Sequence, residues 1–162
     1  MQLVTKRLIL RAARDTDLAP LFAVYGDRRA MKYWSDPPHP TIKTTSALLD
    51  DFIAAGSGLY FVVEHQGRAI GTAGLHHESE IGFILHPDYW RKGLMREAVL
   101  AIIAHVWAVT DLAQITADTD PENAASVGFL KTLGFHVTGQ AKRTFCIDGI
   151  WSDSVYLALD RP

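Results

Sequence analysis

The chain is poor in the residues that staple or anchor a fold. Cys146 is the single cysteine among 162 residues, which leaves no internal disulfide and no cysteine-rich zinc framework. No apolar run approaches the roughly 20 residues that a helix needs to cross a bilayer. The opening MQLVTKRLILR carries charge too early and too often for the apolar stretch of a secretory leader, so a cytoplasmic protein is expected. Positive charge is not in excess either. Sixteen Lys+Arg against 18 Asp+Glu give a formal net charge of −2, which argues against a general nucleic-acid surface. Two familiar diphosphate loops are missing: there is no GxxxxGK[ST], and no GxGxxG after the first strand with an acid about 20 residues on. Repeats, low-complexity segments and linkers are absent as well, and residues 1–162 read as one domain.

What is present is ordinary in amount and informative in order. An apolar content of 48% with 21% charged residues suits a soluble globular protein, and the length allows a core without staples. The stretch Glu80 to Ala98, EIGFILHPDYWRKGLMREA, carries the most information. A short apolar strand runs into a Pro-Asp turn, crosses a basic glycine loop and enters a long amphipathic helix. Gly93 between basic neighbours lets the backbone approach a ligand closely. The helix start adds unpaired N–H groups and the positive end of its dipole. Strand, bare amides and helix N-terminus together form an anion cradle, and a pyrophosphate is its natural guest.

The rest of the chain alternates strands and helices. Leu8-Ile9-Leu10 reads as a strand, and Asp15-Thr16-Asp17 caps a helix with Leu18, Leu21, Phe22 and Tyr25 on one face. After a loop holding Pro37, Pro38 and Pro40, Thr41 to Ala55 is helical in pattern, ended by Gly56-Ser57-Gly58. Leu59 to Glu64 and Ala69 to Leu75 form a hairpin through Gln66-Gly67-Arg68. Strands follow at Glu80 to Leu85, Gln114 to Asp118, Phe135 to Ala141 and Trp151 to Leu159, with helices at Arg91 to Val109 and Pro121 to Leu133. One mixed α/β domain is expected.

Three segments carry a resemblance. The phosphate loop Trp90-x-x-Gly93-x-Met95, the opening TKRLILRAARDTDL and the later DPENAASVGFLKTLGF occur in one order along the chain. The sequence resembles the GNAT superfamily of acyl-CoA-dependent N-acetyltransferases, and within it the branch of ribosomal-protein N-terminal (alanine) acetyltransferases. The resemblance implies the GNAT fold, a mostly antiparallel central sheet with helices on both faces. It also implies acetyl-CoA as cosubstrate and no metal. Its phosphate loop is usually Q/R-x-x-G-x-G/A, so Trp90 and Met95 depart from the pattern. Backbone amides carry the contact, and Met95 is expected to point away. The implied cofactor contacts are Trp90, Arg91, Lys92, Gly93, Leu94, Met95 and Arg96 for the diphosphate, with Phe83, Ile84 and Leu85 as a strand edge for the pantetheine arm. Asn123 and Ser126 stand beside that arm.

Acyl transfer to an amine needs a neutral amine, a stabilised carbonyl oxygen and a thiolate that leaves, preferably protonated. An unperturbed lysine amine has a pKa near 10.4, so a nearby base helps it lose its proton. Glu80, opening the cofactor strand as in related GNAT members, is the leading base; Asp118, Asp120, Glu122 or a water chain are the alternatives. The family's thiolate donor, a tyrosine seven residues after the asparagine, is here Leu130. Ser126 is the replacement the branch implies. The amides of residues 83–85 are candidates for the oxyanion. The acceptor is a small-molecule amine or a protein N-terminus, chosen by residues 27–55 and the last two strands. Nucleic-acid and membrane partners are not expected, and the chain acts as a monomer or homodimer. Two rival readings are a non-catalytic acyl-CoA sensor and a ribosome-associated interaction module.

Other signals carry less. His76-His77-Glu78-Ser79-Glu80 holds metal-capable residues, with strand alternation putting His76, Glu78 and Glu80 on one side, but no further ligand marks a metal site. Cys146 could in principle accept an acyl group beside a histidine, but it lies in a late strand, RTFCIDG, to which the resemblance assigns no role. Trp34, Trp107, Trp151 and Tyr156 are core or substrate-wall aromatics. Arg7, Arg11 and Arg14 read as a solvated strand edge.

Overall fold

The computed structural model describes residues 1–56 and 58–162; Ser57, part of the expected helix stop, lies outside them. Among the described residues the chain forms β1 (Gln2–Val4), β2 (Leu8–Arg11), α1 (Leu18–Tyr25), α2 (Ile42–Ala55), β3 (Tyr60–His65), β4 (Arg68–His76) and β5 (Glu80–Leu85). It continues through α3 (Leu94–Val109), β6 (Gln114–Thr119), α4 (Ala124–Thr132), β7 (His136–Ile147) and β8 (Ile150–Asp160). The strands build one sheet in the order β1-β2-β3-β4-β5-β6-β8-β7. Every pairing is antiparallel except that of β5 with β6.

The sheet separates two apolar clusters. Ile81 and Leu85 of β5 join Leu94, Ala98, Val99 and Ile102 of α3 and Leu130 of α4 on one face. Ile84 joins Leu21, Val24 and Tyr25 of α1 and Leu49 of α2 on the other. Because successive strand side chains alternate in direction, Phe83 lies with Ile81 and Leu85, whereas Glu80 and Gly82 lie with Ile84.

Several boundaries differ from the sequence reading for local reasons. Helix α3 begins at Leu94 rather than Arg91, because Arg91 and Gly93 hold φ of +57° and +72°, outside the helical well. Helix α4 begins at Ala124 rather than Pro121, since the carboxylate of Asp120 accepts from the Glu122 amide at 2.8 Å and folds that stretch into a turn. The last strands form one long hairpin: β7 runs on to Ile147 past an irregularity at Ala141/Phe145, where Arg143 takes φ +56°. The short β1 was not anticipated. The expected strand alternation through Glu78 does not hold either: His77 and Glu78 take positive φ and make the turn of the β4–β5 hairpin, although His76 and Glu80 do share a side as cross-strand partners.

Arg11 is the clearest departure. It is only 5% exposed, not a solvated edge residue. Its guanidinium makes a two-pronged bond to Asp17, with both contacts at 2.8 Å, and a further bond to Glu64. The pair of acids neutralises a charge that burial alone would not tolerate.

Candidate active site

The central parallel pair forks. Strands β5 and β6 share one ladder position, Glu80 with Thr116, where the Thr116 amide donates to the Ser79 carbonyl at 2.9 Å. Beyond it, β5 stays fully paired with β4 up to Leu85, and β6 with β8 up to Thr119, but the two strands no longer pair with each other. The His86 amide donates to Ile70 on β4 at 2.9 Å, so by alternation the Ile84 amide also faces β4. The amides of Phe83 and Leu85 therefore face the fork. Ile84 offers it nothing: its amide is turned away and its side chain is buried on the α1–α2 face. The Leu85 carbonyl is already taken by the indole N–H of Trp90 at 2.8 Å.

That Trp90 bond folds the chain back at the end of β5 and sets the loop that follows. Two left-handed residues, Arg91 and Gly93, flank Lys92, and α3 starts directly afterwards. A cluster of N–H groups at a helix start, carried on left-handed backbone, is a concave anion site. A Cβ built at Gly93 meets only the Arg7 Nη2, at 3.5 Å, so the outer side of the loop is open. Leu94 sends its side chain into the core at 2% exposure, and Met95 packs half-buried against the same cluster. For these two residues only the backbone is free to meet a ligand. Arg91, Lys92 and Arg96 are exposed, and Arg96 also donates to the Thr132 hydroxyl at 2.9 Å, bracing α3 against α4.

The two sides of the fork differ in chemistry. On the α4 side, Asn123 caps the helix by accepting from the Ser126 amide at 3.1 Å. The Phe129 ring stands edge-on to Phe83 at 5.2 Å, and Ser126, three residues earlier, shares that helical face. On the opposite side Glu80, Asp118 and a set of rings gather. The His76 ring lies over Gly82, where any Cβ would collide with it, and stands 4.3 Å from Tyr60 and 6.3 Å from Trp34. Tyr25 and Tyr60 both bond the Thr72 hydroxyl, at 2.7 and 2.8 Å.

Burial governs the ionisation here. It raises the Glu80 carboxyl above the ordinary carboxylate value; nearby Asp118 pushes the same way, and His77 pulls back. Asp118 is raised by burial too, opposed by the Ser154 hydroxyl, and one of its oxygens is buried without a partner. Burial, with His77 adding to it, lowers His76, which favours the neutral ring.

Comparison with known proteins decides the family. Residues 7–136 match the acetyltransferase (GNAT) domain. The chain belongs to the GNAT acetyltransferase family. It is 31% identical to the [ribosomal protein uS5]-alanine N-acetyltransferase of Escherichia coli K12, an alignment covering 100% of this chain and 92% of that protein. It is 27% identical to the spermidine N(1)-acetyltransferase of the same organism, over 93% of this chain and 84% of the relative. In fold it is similar to the spermidine N-acetyltransferase of Vibrio cholerae solved with CoA and spermine, with a TM-score of 0.80, 23% identity and 96% of each chain covered. The protein is thus an acetyl-CoA-dependent N-acetyltransferase, acting in a family that acetylates amines.

In this GNAT domain the residues singled out from sequence gather at the fork, but not all on one side. Glu80 lies with the α1–α2 face, whereas Ser126 and Asn123 lie with the α3–α4 face. Of the other acids, Asp118 shares Glu80's side, while Asp120 is spent on the turn before α4. Among the described residues no group of three His, Cys, Asp or Glu side chains could hold a metal ion. Cys146 is exposed on β7, at the edge of the sheet. No described helix is long and apolar enough to cross a membrane. Arg7, read from sequence as a solvated edge residue, reaches the loop of residues 90–96 with its guanidinium, a contact between residues 85 positions apart that sequence does not show. Sequence reasoning weighed His76 only as a metal-capable residue; its cross-strand register with Glu80 appears once β4 and β5 are paired.

Proposed function

We propose that the protein moves the acetyl group of acetyl-CoA directly onto a primary amine, both substrates being bound at once. The observation that carries this reading is the forked β5–β6 pair whose open half ends at a helix N-terminus built on two left-handed residues. The coenzyme's arm resembles a short peptide, and the free amides of Phe83 and Leu85 can receive it as an added strand. Its diphosphate then falls to the loop of residues 90–96, through the backbone of Gly93, Leu94 and Met95 and the exposed side chains of Arg91, Lys92 and Arg96. The Asn123 amide group and Ser126 stand beside the arm.

The amine approaches from the side of Glu80, Asp118 and the aromatic rings. Its nitrogen attacks the thioester carbonyl while Glu80, directly or through water, takes the proton. Where the thioester end of the arm reaches Phe83, that amide is our candidate donor to the oxyanion, with the Leu85 amide left to the arm. The C–S bond breaks as the C–N bond is made, and the Ser126 hydroxyl donates toward the departing sulfur. A raised Glu80 supports the role of base, because its conjugate acid then sits closer to neutrality and to an amine's reach.

The acceptor is a protein N-terminus, as for the uS5 enzyme, or a small cationic amine, as for the spermidine enzymes. Residues 1–162 act as one domain in the cytoplasm, as monomer or homodimer, without nucleic acid, membrane or metal. A thiol-release screen against N-terminal peptides, polyamines, amino acids and aminoglycosides tests the reading. Stoichiometric acetylation of one class is the expected result; acetyl-CoA binding with no acceptor in any class would leave a sensor instead.

A further inference from the structure

Arg7 sits at the tip of the turn between β1 and β2, a turn closed by the Thr5 amide on the Leu8 carbonyl at 3.0 Å. From this fixed frame it reaches across to the start of α3. Its Nε donates to Glu97 at 2.7 Å and its backbone amide to the same carboxylate at 2.7 Å, with the Thr5 hydroxyl adding a third bond at 2.6 Å. Its Nη1 donates to the Lys92 carbonyl at 2.8 Å. Two consequences follow for the loop.

The first is geometric. The Lys92 carbonyl and the Gly93 N–H belong to one trans peptide, so they point in opposite directions. A guanidinium holding the carbonyl on one side turns the Gly93 N–H out on the other. The arrangement has to be held, because Arg91 carries a side chain in left-handed backbone, which is strained. The second is electrostatic. Glu97 lies in the first turn of α3, where its charge opposes any anion arriving at that helix end. Burial pushes its carboxyl up, but the bonds from Thr5 and Arg7 outweigh it, so Glu97 is ionised and needs its cation.

We propose that Arg7 is a positioning residue for the diphosphate of coenzyme A: it aims the Gly93 amide outward and cancels the Glu97 charge behind it. The inference rests on reading residues 90–96 as the diphosphate site. Arg7 touches the substrate at no point in this proposal; it acts through the backbone it holds.

The test compares ligands with and without the diphosphate. CoA binding is measured by calorimetry, pantetheine binding by NMR shifts of the Phe83 and Leu85 amides, and the Gly93 amide resonance is followed in both titrations. In Arg7→Ala, CoA should bind at least tenfold more weakly, pantetheine within twofold of wild type, and the CoA-induced Gly93 shift should shrink. Arg7→Lys, whose single ammonium reaches Glu97 or Lys92 but not both, should fall between, and it replaces the alanine variant if that one does not fold. Equal weakening of CoA and pantetheine would reduce Arg7 to a structural brace, and unchanged CoA binding would overturn the proposal outright. Should CoA leave the Gly93 resonance of the wild-type protein unmoved, the diphosphate reading itself fails, an outcome separate from either.

Discussion

His76 and Glu80 are direct partners across the β4–β5 ladder, with the His76 ring laid over Gly82, the next residue on Glu80's side of β5. A neutral, buried imidazole and a carboxyl raised by burial thus share one end of the fork, and the carboxyl is the group whose ionisation should be visible.

Glu80→Gln is expected to lower kcat by about 10²–10⁴ if the carboxylate takes the amine's proton. The acid limb of the wild-type pH–rate profile should lie above the ordinary glutamate range, and the variant should lack it. Stability should move the other way. A carboxyl raised in the folded state favours the fold while protonated; that contribution is whole below the ordinary value and is lost as pH rises through the raised one. The variant should therefore melt with wild type near pH 4 and above it at pH 7.5, read by calorimetric scans. A fall in kcat under threefold would leave only the water chain as base.

Gly93→Asp should remove CoA binding, at least 100-fold by calorimetry, with the protein still folded and its melting temperature lowered by a few degrees through the strain of a side chain at φ +72°. The space beside Gly93 accepts a Cβ, and aspartate tolerates left-handed backbone better than most side chains. The new carboxylate then stands in the cradle beside Arg7, repelling the diphosphate without unfolding the chain.

If the Ser126 hydroxyl acts at the sulfur as proposed, Ser126→Ala should cost roughly tenfold in kcat with the acetyl-CoA KM held within twofold. Asn123→Ala separates the cap from the chemistry: losing the bond to the Ser126 amide should lower stability by about 1 kcal/mol in urea.

Arg11→Ala should destabilise by about 3–5 kcal/mol, because it strands Asp17, whose side chain is 3% exposed, without its cation. Urea midpoints would register this as severe loss of fold, with no change in how the remaining folded protein binds CoA.

Strand β5 was readable as a short apolar run before a Pro-Asp turn, helix α2 by its apolar spacing and the glycine that ends it, and the loop of residues 90–96 because glycine, basic residues and a helix start follow one another. Other features leave no local trace. β1 is three residues long, with Val4 69% exposed and only Leu3 packed against the core, too short for a period to show. The outer half of β7 pairs past an irregularity at the sheet edge, where period-two alternation breaks down. Arg11's burial depends on Glu64, 53 residues on, and Arg7's grip on Lys92 spans 85. The fork itself is silent in sequence, since nothing in EIGFIL marks where pairing with β6 stops.

A sheet joined at its middle by one ladder position resembles a zipper stopped at a single tooth. The cosubstrate's arm can supply the rungs that Phe83 and Leu85 leave vacant, so occupancy and cohesion of the two half-sheets become linked quantities. At a hundredfold excess over Kd, such a guest adds about 2.7 kcal/mol to the folded state. The metabolic level of acetyl-CoA would then set how long the protein lasts as well as how fast it works.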